Sequence, residues 1–321
     1  MEQARSTHLP RRAGHVGSRP GACLDGGGQL RGGHSRRRGA RHAHLLARSA
    51  GTSVAPAGGG RGGGGAGPHR PHRPLRGRRK GARLKVHGLI LAGGEGSRLA
   101  AGGIAVPKPL VEVAGRPQIV GLLETFAALG CSSLTCAVRA DFPAVRRLLD
   151  GRRFGPPLTV VTCRTPSSLH TLVEGLRGMA GGPVFCSMVD TVMRPEDWNA
   201  VYGAAGRYLE EGAELVLAVT PYVDDESPVY VSRRGDGDVR AVSDEPVAPV
   251  CVTGGAYGLS AAARLAAADA VARGVHKMRA FLKGLVAEGR RVAAVEVPRI
   301  IDIDRPSDLQ TANAWLAARE R

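Results

Sequence analysis

From residue 86 onward, apolar runs bounded by Gly, Pro or Asp alternate with stretches whose apolar residues recur every three to four positions. The runs predict strands at 86–92, 133–138, 158–163, 183–189, 214–220, 251–258 and 291–297. The amphipathic stretches predict helices at 117–129, 141–150, 168–178, 195–211, 260–273, 276–289 and 306–319. Pro117, Pro195 and Pro306 stand where a first helical turn tolerates a missing N–H. Strand–helix alternation of this kind predicts an α/β fold with a doubly wound, mainly parallel sheet. The stretch 221–250 breaks the rhythm. Its VYVSRRGDGDVRAV segment alternates on either side of Gly235-Asp236-Gly237 and predicts a small inserted β-hairpin, well placed to form a substrate wall.

Charge divides the chain in two. Residues 1–85 hold 19 Lys+Arg against 2 acidic residues, whereas 86–321 holds 26 of each, so the whole net charge of +17 lies in the leader. The leader also has 7 of the 10 His, 20 of the 46 Gly and no Phe, Trp or Tyr. Too few large apolar groups are available there to offset chain entropy, and the composition predicts a disordered segment. Its RRR at 36–38 and RGRRK at 76–80 could neutralise phosphates, but without aromatics any nucleic-acid binding would be non-specific. An Arg-rich transit peptide fits the Gly and His content poorly. The remaining reading is a mis-called start. GC-rich DNA translates by chance into this composition, no Met lies between Met1 and Met179, and Val86 stands directly before the first strand as a GTG start would.

The other 236 residues suit one α/β domain, 86–321. The six cysteines, Cys23, Cys131, Cys136, Cys163, Cys186 and Cys251, form no CxxC pair and read as reduced thiols of a cytoplasmic protein. No apolar run approaches the roughly 18 residues of a membrane span.

The chemistry concentrates at predicted strand ends, where doubly wound sheets bind ligands. After the first strand comes LAGGEGSRLAAGGIAVPKPL, residues 91–110. Gly93, Gly94 and Gly96 would let backbone N–H groups approach a phosphate. The loop is neither a Walker A sequence nor a good GxGxxG, since Leu99 stands where the third Gly belongs. Arg98 adds a planar fork for phosphate oxygens, and Lys108, stiffened between Pro107 and Pro109, adds a point charge. The run 184–190 ends in Asp190, a natural Mg²⁺ ligand beside a triphosphate, with capping of the next turn as the alternative. Asp302 and Asp304 end another apolar run two residues apart. Either could complete the metal site, while Ser307 and Asp308 could cap the helix that follows. His170 reads as a pocket-wall or helix-start residue rather than a catalytic one.

Residues 86–321 resemble the sugar-phosphate nucleotidyltransferase superfamily. The resemblance lies in Leu91-Ala-Gly-Gly-Glu-Gly-Ser-Arg98-Leu99, seven residues, Pro107-Lys-Pro-Leu110, and Ala114-Gly-Arg-Pro117. It implies nucleotide contacts from Leu91, Ala92, Gly93, Gly94, Gly96 and Ser168, metal ligation by Asp190 and Asp302, and a sugar-site segment at Gly254-Gly255-Ala256-Tyr257. Two positions depart from the family pattern. Ser168 stands where a Gly meets the base, and Asp244-Glu245-Pro246 stands where a Glu-Lys-Pro element contacts the substrate. Asp244 and Gly255 are therefore the expected substrate contacts. The base is unreadable, and phosphonates, polyol phosphates and other phosphorylated acceptors stay open beside sugar 1-phosphates.

The reaction the resemblance implies is in-line attack of an acceptor phosphate on the α-phosphorus of an NTP, with Mg²⁺ as cofactor and pyrophosphate as leaving group. Arg98 would neutralise the pyrophosphate, and Lys108 would bridge donor and acceptor phosphates. The alternatives are cytidylyl transfer to a non-sugar acceptor and a catalytically silent nucleotide-binding module. The expected partners are the NTP and its acceptor, with a homo-oligomer left open.

Overall fold

Val86 to Ala92 is buried throughout because β1 (His87–Ala92) is covered on both faces. Ile90 and Ala92 enter one core, and Leu89 and Leu91 enter the other. This two-sided burial explains the unbroken apolar run. The computed structural model describes residues 85–318. The expectations about the leader lie outside the described residues, Lys85 apart.

After β1 come α1 (Ser97–Ala101), β2 (Glu112–Val113), β3 (Arg116–Pro117), α2 (Gln118–Ala128), β4 (Leu134–Arg139), α3 (Pro143–Leu149) and β5 (Leu158–Cys163). Next are α4 (Ser168–Leu176), β6 (Val184–Met188), β7 (Thr191–Val192), α5 (Pro195–Glu210) and β8 (Leu215–Thr220). The chain continues through β9 (Tyr230–Arg233), β10 (Val239–Ser243), β11 (Val252–Leu259), α6 (Ala261–Ala272) and α7 (Met278–Ala287). It ends with β12 (Val292–Glu296), β13 (Ile301–Asp302) and α8 (Pro306–Ala317).

Nine strands form the main sheet. β5, β4, β1 and β6 run parallel. β11 then lies antiparallel to both β6 and β8, and β12 pairs parallel with β8. Helices α2, α3 and α5 cover one face, where Phe126, Phe185 and Trp198 meet edge-on or tilted. Helices α4, α6 and α7 cover the other. The sheet is thus mainly parallel and wound on both sides, as the alternation predicts. The reversal of β11 follows from the predicted hairpin, β9–β10, which is antiparallel and turns at Arg234–Asp238. It inserts a strand pair where a crossover helix would otherwise keep the direction.

Two short features position the site. The two-residue pair β7–β13 sets Asp302 opposite Thr191, and the Ile303 N–H donates to the Asp190 carbonyl. A third apolar cluster, including Leu99, Val111, Val192, Ile301 and Ile303, lies beneath it and against α8. The ends of β6 and β13 are thereby locked together. No helix among the described residues is long and apolar enough to cross a membrane. The five described cysteines are free, and burial pushes Cys131 up to about 12 and the other four up as well.

Candidate active site

The loop after β1 enters α1 at Gly96, whose φ of +67° is left-handed. A Cβ there would also lie 3.3 Å from that of Lys108. Glycine thus permits both the turn and the close seating of Lys108. Pro107 leads into a single 3₁₀ turn, Lys108–Leu110, and Lys108 is buried at its start. The ammonium lies 2.5 Å from Asp190 Oδ2 and 2.5 Å from Asp304 Oδ1. Burial works against its charge, but the two carboxylates outweigh that and raise its pKa above the ordinary lysine value. Arg98 donates from Nη1 to Asp304 Oδ2 at 2.7 Å, and its Nε lies 3.8 Å from Glu226. Glu226 also pairs with Arg305.

Asp190 and Asp302 each keep one buried oxygen, Oδ1, without a hydrogen-bond partner. Buried acceptors are normally satisfied, so two such oxygens on neighbouring strand ends point to a cation. Burial first, and the Asp190 charge second, push the Asp302 carboxyl up to about 8, with Lys108 opposing. Among the described residues no group of three or more His, Cys, Asp or Glu could enclose a metal. Two carboxylates suffice for Mg²⁺, which takes its other ligands from water and substrate phosphates. The donor set therefore fits Mg²⁺ better than a metal that needs a full protein cage.

These groups stand where two clefts meet. One, of about 490 Å³, is lined by Leu91, Gly93, Gly94, Arg139 and the 165–168 turn. The other, of about 390 Å³, is lined by Arg98, Asp190, Asp302, Asp304, Gly255, Tyr257, Lys277 and Arg279. Ser167, Ser168 and Met188 border both. Gly255 lies at an irregularity in β11 with φ +70°, and a Cβ there would fall 2.4 Å from Thr191 Oγ1. The backbone can approach the β6 end only because no side chain stands there.

The structure thus brings together Arg98, Lys108, Asp190, Asp302 and Gly255, with Leu91, Gly93, Gly94 and Ser168 on the adjoining wall. Gly96 supports Lys108 from beneath. Ala92 departs from expectation: it is fully buried and packed into the α2 side of the core. Asp244 departs as well. It is an exposed residue beyond β10 that holds Arg279 at 3.1 Å and Lys283, and it reaches the cleft only through Arg279. His170 is a helix-start residue, with Nδ1 2.9 Å from the capping Ser167 Oγ and its ring stacked on His276.

Sequence reasoning missed Arg139, Lys277 and Arg279. Arg139 ends β4, so the same strand-end rule would have found it. It binds Glu95 and Asp141 and braces the glycine loop. Lys277 and Arg279 carry no motif. Asp304 proves to be the shared partner of Arg98 and Lys108.

Residues 88–288 match the family model of the MobA-like NTP transferase domain. Among curated proteins, the chain is 29% identical over 167 residues to a glucose-1-phosphate thymidylyltransferase of Actinoplanes sp., covering 51% of this chain and 54% of that protein. It is 31% identical over 157 residues to the CMP-5'-(3-aminopropyl)phosphonate synthase of Streptomyces rubellomurinus, covering 44% and 25%. The match thus spans about half the length of the first of these relatives and a quarter of the second. Its fold is similar to that of the inositol-1-phosphate CTP transferase from T. maritima, with a TM-score of 0.59 at 14% identity over 74% of this chain and 99% of that one. With the family match extending from β1 through α7, the chain belongs to the MobA-like NTP transferase domain family.

Proposed function

We propose that this domain transfers a nucleoside monophosphate from an NTP to a phosphorylated acceptor, releasing pyrophosphate, with a sugar 1-phosphate as the first choice of acceptor. One observation carries this reading. The unpartnered oxygens of Asp190 and Asp302 lie on paired strand ends beside a buried lysine, where two clefts meet. The nucleotide belongs in the cleft of Leu91, Gly93, Gly94 and Ser168, whose backbone N–H groups and hydroxyl can meet its phosphates and base. The acceptor belongs in the cleft of Gly255 and Tyr257. Its phosphate is already ionised, so its oxygen can attack the α-phosphorus in line without a general base while the bond to the β-phosphate breaks.

What this chain contributes is position and charge. Arg98 offsets the charge that leaves with pyrophosphate. Lys108 bridges the two phosphates by exchanging one of its carboxylate partners. Asp304 is the partner to release, because it is twice as exposed as Asp190, 35% against 17%. Asp190 and Asp302 would hold Mg²⁺, which when bound adds positive charge beside the reacting phosphoryl oxygens. The free thiols support a reducing, cytoplasmic setting.

A second reading, transfer to a phosphonate or polyol phosphate, is favoured by Glu245. It stands where the resemblance implies a substrate-binding Lys, and it is exposed, with its N–H bound to Ser243 Oγ. The test is pyrophosphate release from four NTPs against sugar 1-phosphates, inositol 1-phosphate and aminoalkylphosphonates. Release with one pairing, abolished by Asp190→Asn, supports transfer and names the acceptor. No release with any pairing favours a silent nucleotide-binding module instead.

A further inference from the structure

If transfer takes place here, the acceptor brings a dianionic phosphate into a cleft floored by Asp190, Asp302 and Asp304. Arg98 and Lys108 cannot neutralise it alone, because both are already engaged with these acids. Glu245 cannot, because it is an anion outside the cleft lining. Two further cations do line this cleft, both at the start of α7: Lys277 and Arg279. Lys277 is exposed and makes no ion pair among the described residues. Arg279 is oriented by Asp244 Oδ1 at 3.1 Å and by the Ser227 carbonyl at 2.8 Å. That leaves part of its guanidinium fork for another anion. Neither residue borders the cleft of Gly93 and Gly94.

We infer that Lys277 and Arg279 bind the phosphate or phosphonate of the acceptor, with Asp244 as the positioning residue for Arg279. Recognition of the acceptor anion is thereby carried by α7 rather than by the segment after β10. This inference rests on the transfer reading for its name, but it makes a binding claim that stands without turnover.

The test measures binding and turnover separately on the full chain. By calorimetry without NTP, the probes are glucose 1-phosphate, mannose 1-phosphate, inositol 1-phosphate and 3-aminopropylphosphonate. A non-hydrolysable NTP analogue is titrated in parallel. At least one probe is expected to bind the wild type. Lys277→Met and Arg279→Gln should each weaken it by about tenfold or more, as loss of a charged hydrogen bond does. Lys277→Arg should restore most of the affinity, and analogue binding should stay within about twofold in all variants. Asp244→Asn should weaken the probe through Arg279 alone, adding little on top of Arg279→Gln. In turnover, the acceptor KM should rise while kcat at saturation changes little. The inference is overturned if no probe binds the wild type, if both variants bind it like the wild type, or if analogue affinity falls equally. Probe binding that depends on Lys277, with no pyrophosphate release from any pairing, would remove the transfer reading and leave the anion site standing.

Discussion

Asp302→Asn should make the metal-free domain more stable while disabling it. In the folded protein the Asp302 carboxyl is raised from the ordinary 3.8 to about 8, chiefly by burial and then by the Asp190 charge. Below pH 3.8 both folded and unfolded chains hold the proton, and the group costs nothing. As pH rises the unfolded chain releases it first, so stability falls steadily until pH 8, where the folded state also ionises. At pH 7 the accumulated cost is about 4 kcal/mol, at about 1.4 kcal/mol for each pH unit traversed. Asparagine keeps the shape and cannot ionise, so it removes this term. It leaves the burial of a polar group with one unpartnered oxygen, which costs about 1–3 kcal/mol in either form. That cost is common to both and cancels, so the expected gain is about 4 kcal/mol at pH 7, or a melting temperature higher by about 3 °C per kcal/mol for a domain of this size. The assay is thermal unfolding in EDTA at pH 5, 7 and 8. The gap between variant and wild type should widen with pH. Adding Mg²⁺ should then stabilise the wild type and not the variant. A variant that melts below the wild type at pH 8, or a pH-independent gap, would show that Asp302 is not held as a strained carboxyl.

Lys108→Met keeps the buried volume but leaves Asp190 and Asp304 without their shared cation. It should cost about 3–5 kcal/mol, measured by urea unfolding at pH 8. The same variant should lose a factor of about 100 or more in turnover. Gly255→Ala forces a side chain into φ +70° and to 2.4 Å from Thr191 Oγ1. Strain and overlap together should cost about 2–4 kcal/mol and disorder the junction of the two clefts, visible as lower melting and weaker acceptor binding. Arg139→Ala releases Glu95 and the Gly93 carbonyl from one brace. Nucleotide affinity should fall several-fold, with about 1 kcal/mol or less lost in stability; unchanged affinity would remove Arg139 from the nucleotide cleft.

Periodicity revealed the elements whose information is local. β1 is legible because both of its faces are buried. The hairpin is legible because Gly235-Asp236-Gly237 interrupts two alternating stretches. The direction of β11 was not legible, because a strand reads the same in either orientation and only its partners decide. The pair β7–β13 was equally hidden, since two residues have no period. Yet it is this pair that turns two separate strand-end aspartates into neighbours. The position of Asp244 was hidden for the opposite reason: a local tripeptide suggested a cleft residue, whereas its contact with the cleft lining runs through Arg279 of α7.

Lys108 shows the limit most clearly. Its prolines and its distance from the glycine loop mark it as important, but not what it touches. Its partners lie 82 and 196 positions away in sequence. A cation held by two carboxylates is not simply a phosphate hook waiting for a ligand. It keeps three clustered acids compatible. On the proposed reading, an incoming triphosphate would displace that arrangement rather than add to it, and the displaced anion would have to be one that water can accept. The more exposed Asp304 meets this requirement and Asp190 does not. The charge cluster therefore serves two states of the site. On the proposed reading, Asp190 and Asp304 hold the lysine before substrate arrives; Asp304 would then release it to phosphate, while Asp190 would keep it on Oδ2 and offer Oδ1, beside that of Asp302, to a cation.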